Sequence, residues 1–303
     1  MTGTKKTALI IILFVVAGFV FFGMNTSKTK VTMQETDKPL VGVTTFALGD
    51  IVQHIAQGSV QIVHILPFGV EPHDFEPTPK LMGQIEKSAL VIYNGAGLEP
   101  WIHTASFKNS VVNMSQYVTL RKVASTENLT DPHYWLDFAN MKKATDVITK
   151  RLIALLPQHE KLYRKNEKLY LQMLDNLDKK YRNTLGSCQK DTIIVNHNAF
   201  SYLANKYNFH VAYLSGLSPD AEPNAKKIIE LIEMIKEHNV STLFFEDFAS
   251  DKAIKSIAHT AKVQVDVLKP LGNITADEAN ANLSYEAMML INLQKLSKAL
   301  SCH

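Results

Sequence analysis

Cysteine is nearly absent. The 303 residues hold two, at positions 188 and 302. Neither belongs to a Cys-x-x-Cys pair, which excludes thiolate metal clusters, thioredoxin-type redox chemistry and a small disulfide-dense fold. Excess charge is also lacking: 32 Lys and Arg against 29 Asp and Glu leave +3, too little for a surface built to neutralise nucleic-acid phosphates. No Gly-x-x-x-x-Gly-Lys spacing occurs, so any ATP hydrolysis belongs to another polypeptide. His159–Glu160 opens like a zinc-hydrolase helix, but the position of its second histidine is taken by Tyr163. There is no internal repeat and no low-complexity tract. The two tryptophans, Trp101 and Trp135, read as cleft-wall packing rather than a cofactor box.

One long hydrophobic run stands out at residues 8–24, behind Lys5 and Lys6 and ahead of a polar stretch that ends at residue 38. Its length and basic flank predict an export signal, either cleaved or kept as an anchor, with the remainder outside the cytoplasmic membrane. No cysteine lies near its end, so lipid attachment is not expected there. In an exported chain Cys188 and Cys302 can pair, which would tie the last helix to the start of the second half; the alternative is two thiols. The composition, 46% apolar and 20% charged, is that of an ordinary globular protein with room for one large or two medium domains.

Three of the eleven histidines sit in similar surroundings. His73 lies in residues 69–79 (GVEPHDFEPTP), with Glu71, Asp74 and Glu76 close by. His133 lies in residues 131–137 (DPHYWLD) and His197 in residues 196–200 (NHNAF). Each marks the edge of a regular element beside small polar or acidic residues. Neutral imidazole is a good ligand for zinc and its neighbours, and flanking Asp, Asn or Glu can fix each ring through its second nitrogen. The three together therefore suggest a divalent metal site. The other histidines are read as structural or solvated: His54 and His238 in helical patterns, His64 in a strand, and His103, His159, His210, His259 and His303 without a partner motif.

Short apolar runs alternate with helical periodicity along the chain. Strands are expected at 40–46, 60–66, 90–93 and 111–114, then at 192–195, 209–214, 242–245 and 263–268. Helices are expected at 48–57, 79–87, 138–155, 200–207, 225–235, 251–261 and 277–300. This is the alternation of parallel sheets covered by helices. Residues 158–185 contain neither Gly nor Pro. They carry a stripe of Leu162, Leu169, Tyr170, Met173, Leu177 and Tyr181, and as one helix would span about 42 Å. The expected fold class is α/β with two lobes, each a four-stranded mainly parallel sheet with helices, joined by one long rigid helix. The expected segments are 1–38 (signal or anchor and linker), 39–157 (first lobe), 158–186 (linking helix) and 187–303 (second lobe). Ligands of open parallel sheets sit beyond the carboxyl ends of the strands, so a cleft between lobes would gather the three histidines.

From residue 39 onward the chain resembles a family, through VGVTTFALGDIVQHI, GVEPHDFEPTP, NGAGLEPW, DPHYWLD, NHNAF, SGLSPDAEP and PLG. These motifs are similar to those of the periplasmic zinc-binding solute-binding proteins of bacterial ATP-binding-cassette metal importers, a family with manganese-binding members once called adhesins. The resemblance implies two α/β lobes on a rigid helix, metal ligands His73, His133 and His197, no enzymatic activity, and a monomer. It also implies delivery of captured Zn2+ to a membrane permease with a separate ATPase subunit. Manganese-type members tend to have Glu at the position of His197, and nitrogen there favours zinc. Many members place an acidic or amide residue at the late PLG turn. Here that turn reads Lys269, Pro270, Leu271, Gly272, which leaves Glu246, Asp266 or water as fourth ligand, or Glu246 as a support behind a ligand. Residues 123–130 hold no histidine, so the histidine-rich loop of some zinc members is absent. The competing readings are a manganese receptor or adhesin, and an envelope metallohydrolase using Glu246 as general base.

Overall fold

The computed structural model describes residues 38–105, 107, 109–123, 129–218, 225–248 and 250–303. The expected signal or anchor run at 8–24, residues 124–128 of the histidine-free loop and residues 219–223 of the SGLSPDAEP motif lie outside the described residues. Among the described residues no helix is long and apolar enough to cross a membrane.

In the first half, strands β1 (Leu40–Val43), β2 (Gln61–His64), β3 (Leu90–Tyr93) and β4 (Ser110–Asn113) form one sheet in the order β2-β1-β3-β4, every pair parallel. Helices α1 (Phe46–Ala56) and α2 (Pro79–Lys87) supply two of the crossovers. Start signals are local. Thr78 Oγ1 accepts from Leu81 N at 3.3 Å with Pro79 at the first helical position. A short antiparallel ribbon follows, β5 (Arg121–Lys122) with β6 (Thr130–Asp131). The sequence pattern did not show it, since two-residue strands have no readable period. Helix α3 (Phe138–Leu155) starts on Asp137, whose carboxylate accepts from Ala139 N at 3.0 Å.

Helix α4 (Glu160–Leu185), led in by a 3-10 turn at Pro157–His159, joins the two sheets. Beyond it come β7 (Thr192–His197), α5 (Ser201–Tyr207), β8 (His210–Ser215), α6 (Ala225–Glu237), β9 (Thr242–Phe245), α7 (Lys252–Ala261) and β10 (Gln264–Val267). The second sheet has the order β10-β9-β7-β8, again parallel throughout. The expected closing helix over 277–300 is in fact two, α8 (Ala276–Asn280) and α9 (Tyr285–Leu300). Asn282 takes a left-handed φ of 52°, and Ser284 caps α9 by accepting from Ala287 N at 3.2 Å. The break lets Tyr285 N donate to the buried Asp50 carboxylate at 3.0 Å.

The buried face of α4 differs from the expected stripe. Tyr163, Asn166, Tyr170, Leu174, Leu177, Tyr181 and Leu185 are buried, while Leu169 is 55% exposed. Polar groups explain the shift. Tyr170 Oη donates to Asp50 Oδ2 at 2.7 Å, Asn166 Nδ2 to Ile55 O at 2.9 Å, and Tyr181 Oη to Met289 O at 2.6 Å. A pattern scored on hydrophobicity alone undervalues residues that bury a ring and satisfy a polar tip. One hydrophobic core runs through both halves, from Val41 and Ile92 to Ile193, Val195 and Phe244, and Pro39–His303 forms one compact unit.

Cys188 and Cys302 are joined in a disulfide that closes a 114-residue separation beside an isolated antiparallel bridge. Reduction is expected to lower unfolding stability by about 2–4 kcal/mol, read as a shifted urea midpoint with and without reductant. A second expectation concerns His54, whose pKa is raised to about 9, chiefly by its hydrogen bond to Asp50. A folded pKa above the unfolded 6.5 stabilises fully below about pH 6.5 and is lost as pH rises through about 9. His54→Gln should lower Tm at pH 6 and match the parent at pH 10. The effect is modest because the side chain is 46% exposed.

Candidate metal centre

The three histidines arrive on three differently built supports. His73 follows β2 in a bend where Gly69 takes φ 84° and donates its N–H to Ile274 O at 2.9 Å; the His73 N–H donates to Glu71 Oε1 at 3.1 Å. His133 comes off β6 into a 3-10 turn, Tyr134–Leu136, with its own N–H on Asp131 Oδ1 at 2.9 Å. His197 is the last residue of β7 and pairs with Ser215 on β8.

Their Nε2 atoms converge. His73 to His133 is 3.3 Å, His197 to His133 is 3.3 Å, and all three ligand atoms lie within 4.8 Å of one another. Four nitrogens around zinc at about 2.05 Å would be about 3.3 Å apart along each tetrahedral edge. Two of the three spacings already have that value. Among the described residues this is the group of His, Cys, Asp and Glu that could hold an ion. The surrounding cavity measures about 10 Å³, room for one ion or one water and not for an organic substrate.

Two of the three rings are held from behind. Asp131 Oδ1 meets His133 Nδ1 at 2.8 Å, and Asp131 Oδ2 accepts from Ser201 Oγ at 2.5 Å. Glu246, 2% exposed, sets its carboxylate against Nδ1 of His197 in an ion-pair contact rather than a directed hydrogen bond, and accepts from Asn196 Nδ2 at 2.9 Å. A Glu71 carboxylate oxygen stands 4.0 Å from His73 Nε2, on the cavity side. Asp266 does not line the cavity and is ion-paired to Lys295 at 2.8 Å.

Electrostatics follow from this geometry. Burial and the two neighbouring imidazoles push the His73 pKa down to about 2, so it offers a neutral lone pair. Burial also opposes charge on His197, but the carboxylates of Glu246, Glu71 and Asp131 together outweigh it and the net shift is upward. Burial opposes charge on Asp131 too, yet its bonds to His133 and Ser201 hold it below the usual carboxylate range. Trp135 lines the cavity 5.3 Å from the His133 ring and donates Nε1–H to Pro270 O at 2.6 Å. A Cβ on Gly272 would meet Pro72 and Trp135 at 3.3 Å, so either side chain would have to give by a few tenths of an ångström. The Lys269 charge is taken up by Asp247 and Glu278. Trp101, also expected at the cleft wall, packs instead with Ile65, Ile85 and Val91 in a separate cluster.

Six of the eight remaining histidines find other partners. His54 meets Asp50, His64 lies tilted against Phe68, His159 stacks on Tyr163, His238 contacts Thr192 and Asp191, His210 faces Asp191, and His303 meets Gln189. Asp131 and Glu71 were visible in the sequence only as polar neighbours. Their roles depend on which ring nitrogen faces the cavity, and sequence carries no signal for that.

Two parallel four-stranded sheets on a joining helix, with three imidazoles gathered between them, define a metal-binding solute-binding protein rather than an enzyme. Over residues 41–299 the chain matches the family described as zinc-uptake complex component A, periplasmic, and it belongs to that ZnuA family. A relative from Bacillus subtilis, the high-affinity zinc uptake system protein ZnuA, is 32% identical over 292 residues, covering 90% of this chain and 92% of its own length. The periplasmic zinc-binding protein TroA of Treponema pallidum has a similar structure, with TM-score 0.80 and 25% identity over 87% of this chain and 99% of its own. So does the Zn(II)-bound ZnuA-like domain of Streptococcus pneumoniae AdcA, with TM-score 0.75 and 28% identity over 87% and 99%.

The support behind His133 generates a prediction. Asp131→Asn keeps shape but withdraws the charge that orients the ring. Zinc affinity, measured by competition with a chromophoric chelator, should fall by about 10–100-fold.

Proposed function

We propose that the protein captures Zn2+ on the outer side of the cytoplasmic membrane and delivers it to an ATP-binding-cassette permease whose ATPase is a separate subunit. The observation that carries this reading is the all-nitrogen donor set, His73, His133 and His197, at tetrahedral-edge spacing in a cavity of about 10 Å³. Nitrogen donors favour zinc over manganese, which prefers oxygen. The cavity size argues against an envelope hydrolase, which needs room for a scissile bond. Glu246 serves behind His197, holding the ring through Nδ1, and Glu71 is the carboxylate placed to complete the shell as fourth ligand. Asp266, engaged by Lys295, takes no part.

Capture needs little movement. The cleft is bridged by hydrogen bonds from the PLG turn: Asn273 Nδ2 donates to Pro67 O at 2.7 Å and Val70 O at 2.8 Å, and Phe46 N donates to Gly272 O at 2.9 Å. With α4 also fixing the halves, entry and exit proceed through small shifts of the His73 loop rather than wide hinge opening. The chain works as a monomer, presented outside the membrane by the segment at 1–38, and the permease docks on it for release.

Titration followed by Trp135 fluorescence should give one zinc per chain. His197→Ala should abolish tight binding, Glu71→Gln should weaken it, and zinc should displace manganese in competition dialysis. Parental zinc affinity in His197→Ala would overturn the site. Preferential retention of manganese would transfer the protein to the manganese-binding class.

A further inference from the structure

The NGAGLEPW segment contains a buried carboxyl group that the metal centre does not touch. Glu99 is 5% exposed and meets three donors: Thr44 Oγ1 at 2.6 Å, Asn94 N at 2.8 Å and Gly95 N at 2.9 Å. Among the described residues no Lys, Arg or His forms an ion pair with it. A buried, unpaired carboxylate is costly unless hydrogen bonds to its charged form compensate. The turn that delivers these donors requires glycine: Gly95 takes φ 77°, and a Cβ there would meet Asn113 Oδ1 at 2.0 Å.

What the turn holds is Asn94, which is fully buried. Its side-chain Nδ2 donates to Pro132 O at 3.1 Å, and its carbonyl accepts from Tyr134 Oη at 3.2 Å. Pro132 and Tyr134 are the two residues that flank His133. One asparagine thus clasps the His133 turn on both sides, and Glu99 sets the position of that asparagine from beneath. We propose that Glu99 is a positioning residue for the metal centre, acting through Asn94 on the turn that carries His133. The proposal rests on the reading of His133 as a ligand.

Its charge state supplies a signature. Burial, only partly offset by the three donors, raises the Glu99 pKa to about 7. Protonation removes acceptor capacity and loosens the clasp, so the positioning is strongest above pH 7. Among the described residues, the titratable groups acting on Glu99 are Tyr93 on β3 and Tyr134 in the His133 turn. Burial raises both phenols, so they stay neutral through this range.

The test measures zinc affinity by chelator competition at pH 6 and pH 8, together with Tm of the metal-free protein. The proteins compared are the parent, Glu99→Gln, Asn94→Ala and His197→Ala. Glu99→Gln places an amide N–H against a backbone N–H, so affinity at pH 8 should fall about 10-fold or more. At pH 6, where the parent is itself protonated, the ratio between the two should narrow toward unity. A purely structural role would give a ratio independent of pH. Should Glu99→Gln fail to fold, Asn94→Ala decides: it keeps the backbone donors to Glu99, removes only the side-chain clasp, and should weaken zinc binding while leaving a folded protein. Parental affinity in both variants, or in Asn94→Ala alone if only it folds, would overturn the proposal; a pH-independent loss in Glu99→Gln would do so as well. Undiminished zinc binding by His197→Ala would overturn the metal reading separately.

Discussion

Three imidazole nitrogens meet within 4.8 Å of one another in a cavity of about 10 Å³, and burial with the two neighbouring rings holds His73 neutral. Such a cluster does not hold itself together. Its geometry is imposed from outside, by Asp131 behind His133, Glu246 behind His197 and Glu71 beside His73. The centre is a set of imidazole nitrogens facing inward with carboxylates arranged around them. A divalent cation matches that pattern of donors and charge.

The imposed geometry depends on a frame that does not flex easily. Helix α4 bridges the two sheets and is fastened by buried polar tips: Tyr170 on Asp50, Tyr181 on Met289, Asn166 on Ile55. Asp50 connects three elements, since α1 carries it, α4 donates to it and the first turn of α9 donates to it. The PLG turn of the second half and the Asn273 after it are hydrogen-bonded to the first half at Phe46, Pro67 and Val70. A continuous hydrophobic core completes the connection. Residues 73, 133 and 197 thereby keep a common position although they enter from separate segments.

Much of the frame was legible in the chain. Helices at 79–87 and 138–155 and strands at 90–93 and 242–245 have the bounds their periodicity implied, because caps such as Thr78 and Asp137 and buried strands such as LVIY are local signals. Features set by remote partners were not legible. The α8–α9 break exists because Tyr285 must reach Asp50, 235 residues away. The α4 face was misassigned at Leu169 because tyrosine and asparagine tips, not hydrophobicity, selected what was buried. The β5–β6 ribbon is too short to have a period. At the site, the three histidines could be named from their motifs, but the choice among Glu246, Asp266 and water could not, and Glu71 was not among those candidates.

Sequence by itself determined the α/β alternation, the long Gly- and Pro-free helix and the imidazole-bearing motifs, since propensity, periodicity and capping act over a few residues. Only the tertiary structure decided that Nε2 of each ring faces a shared point, that Glu246 stands behind a ring and Glu71 beside the cavity, and that Asn94 clasps the His133 turn. Those are relations in space among segments tens to hundreds of residues apart. They are set by packing and by the need to satisfy every buried polar group at once, and no local stretch of chain encodes them alone.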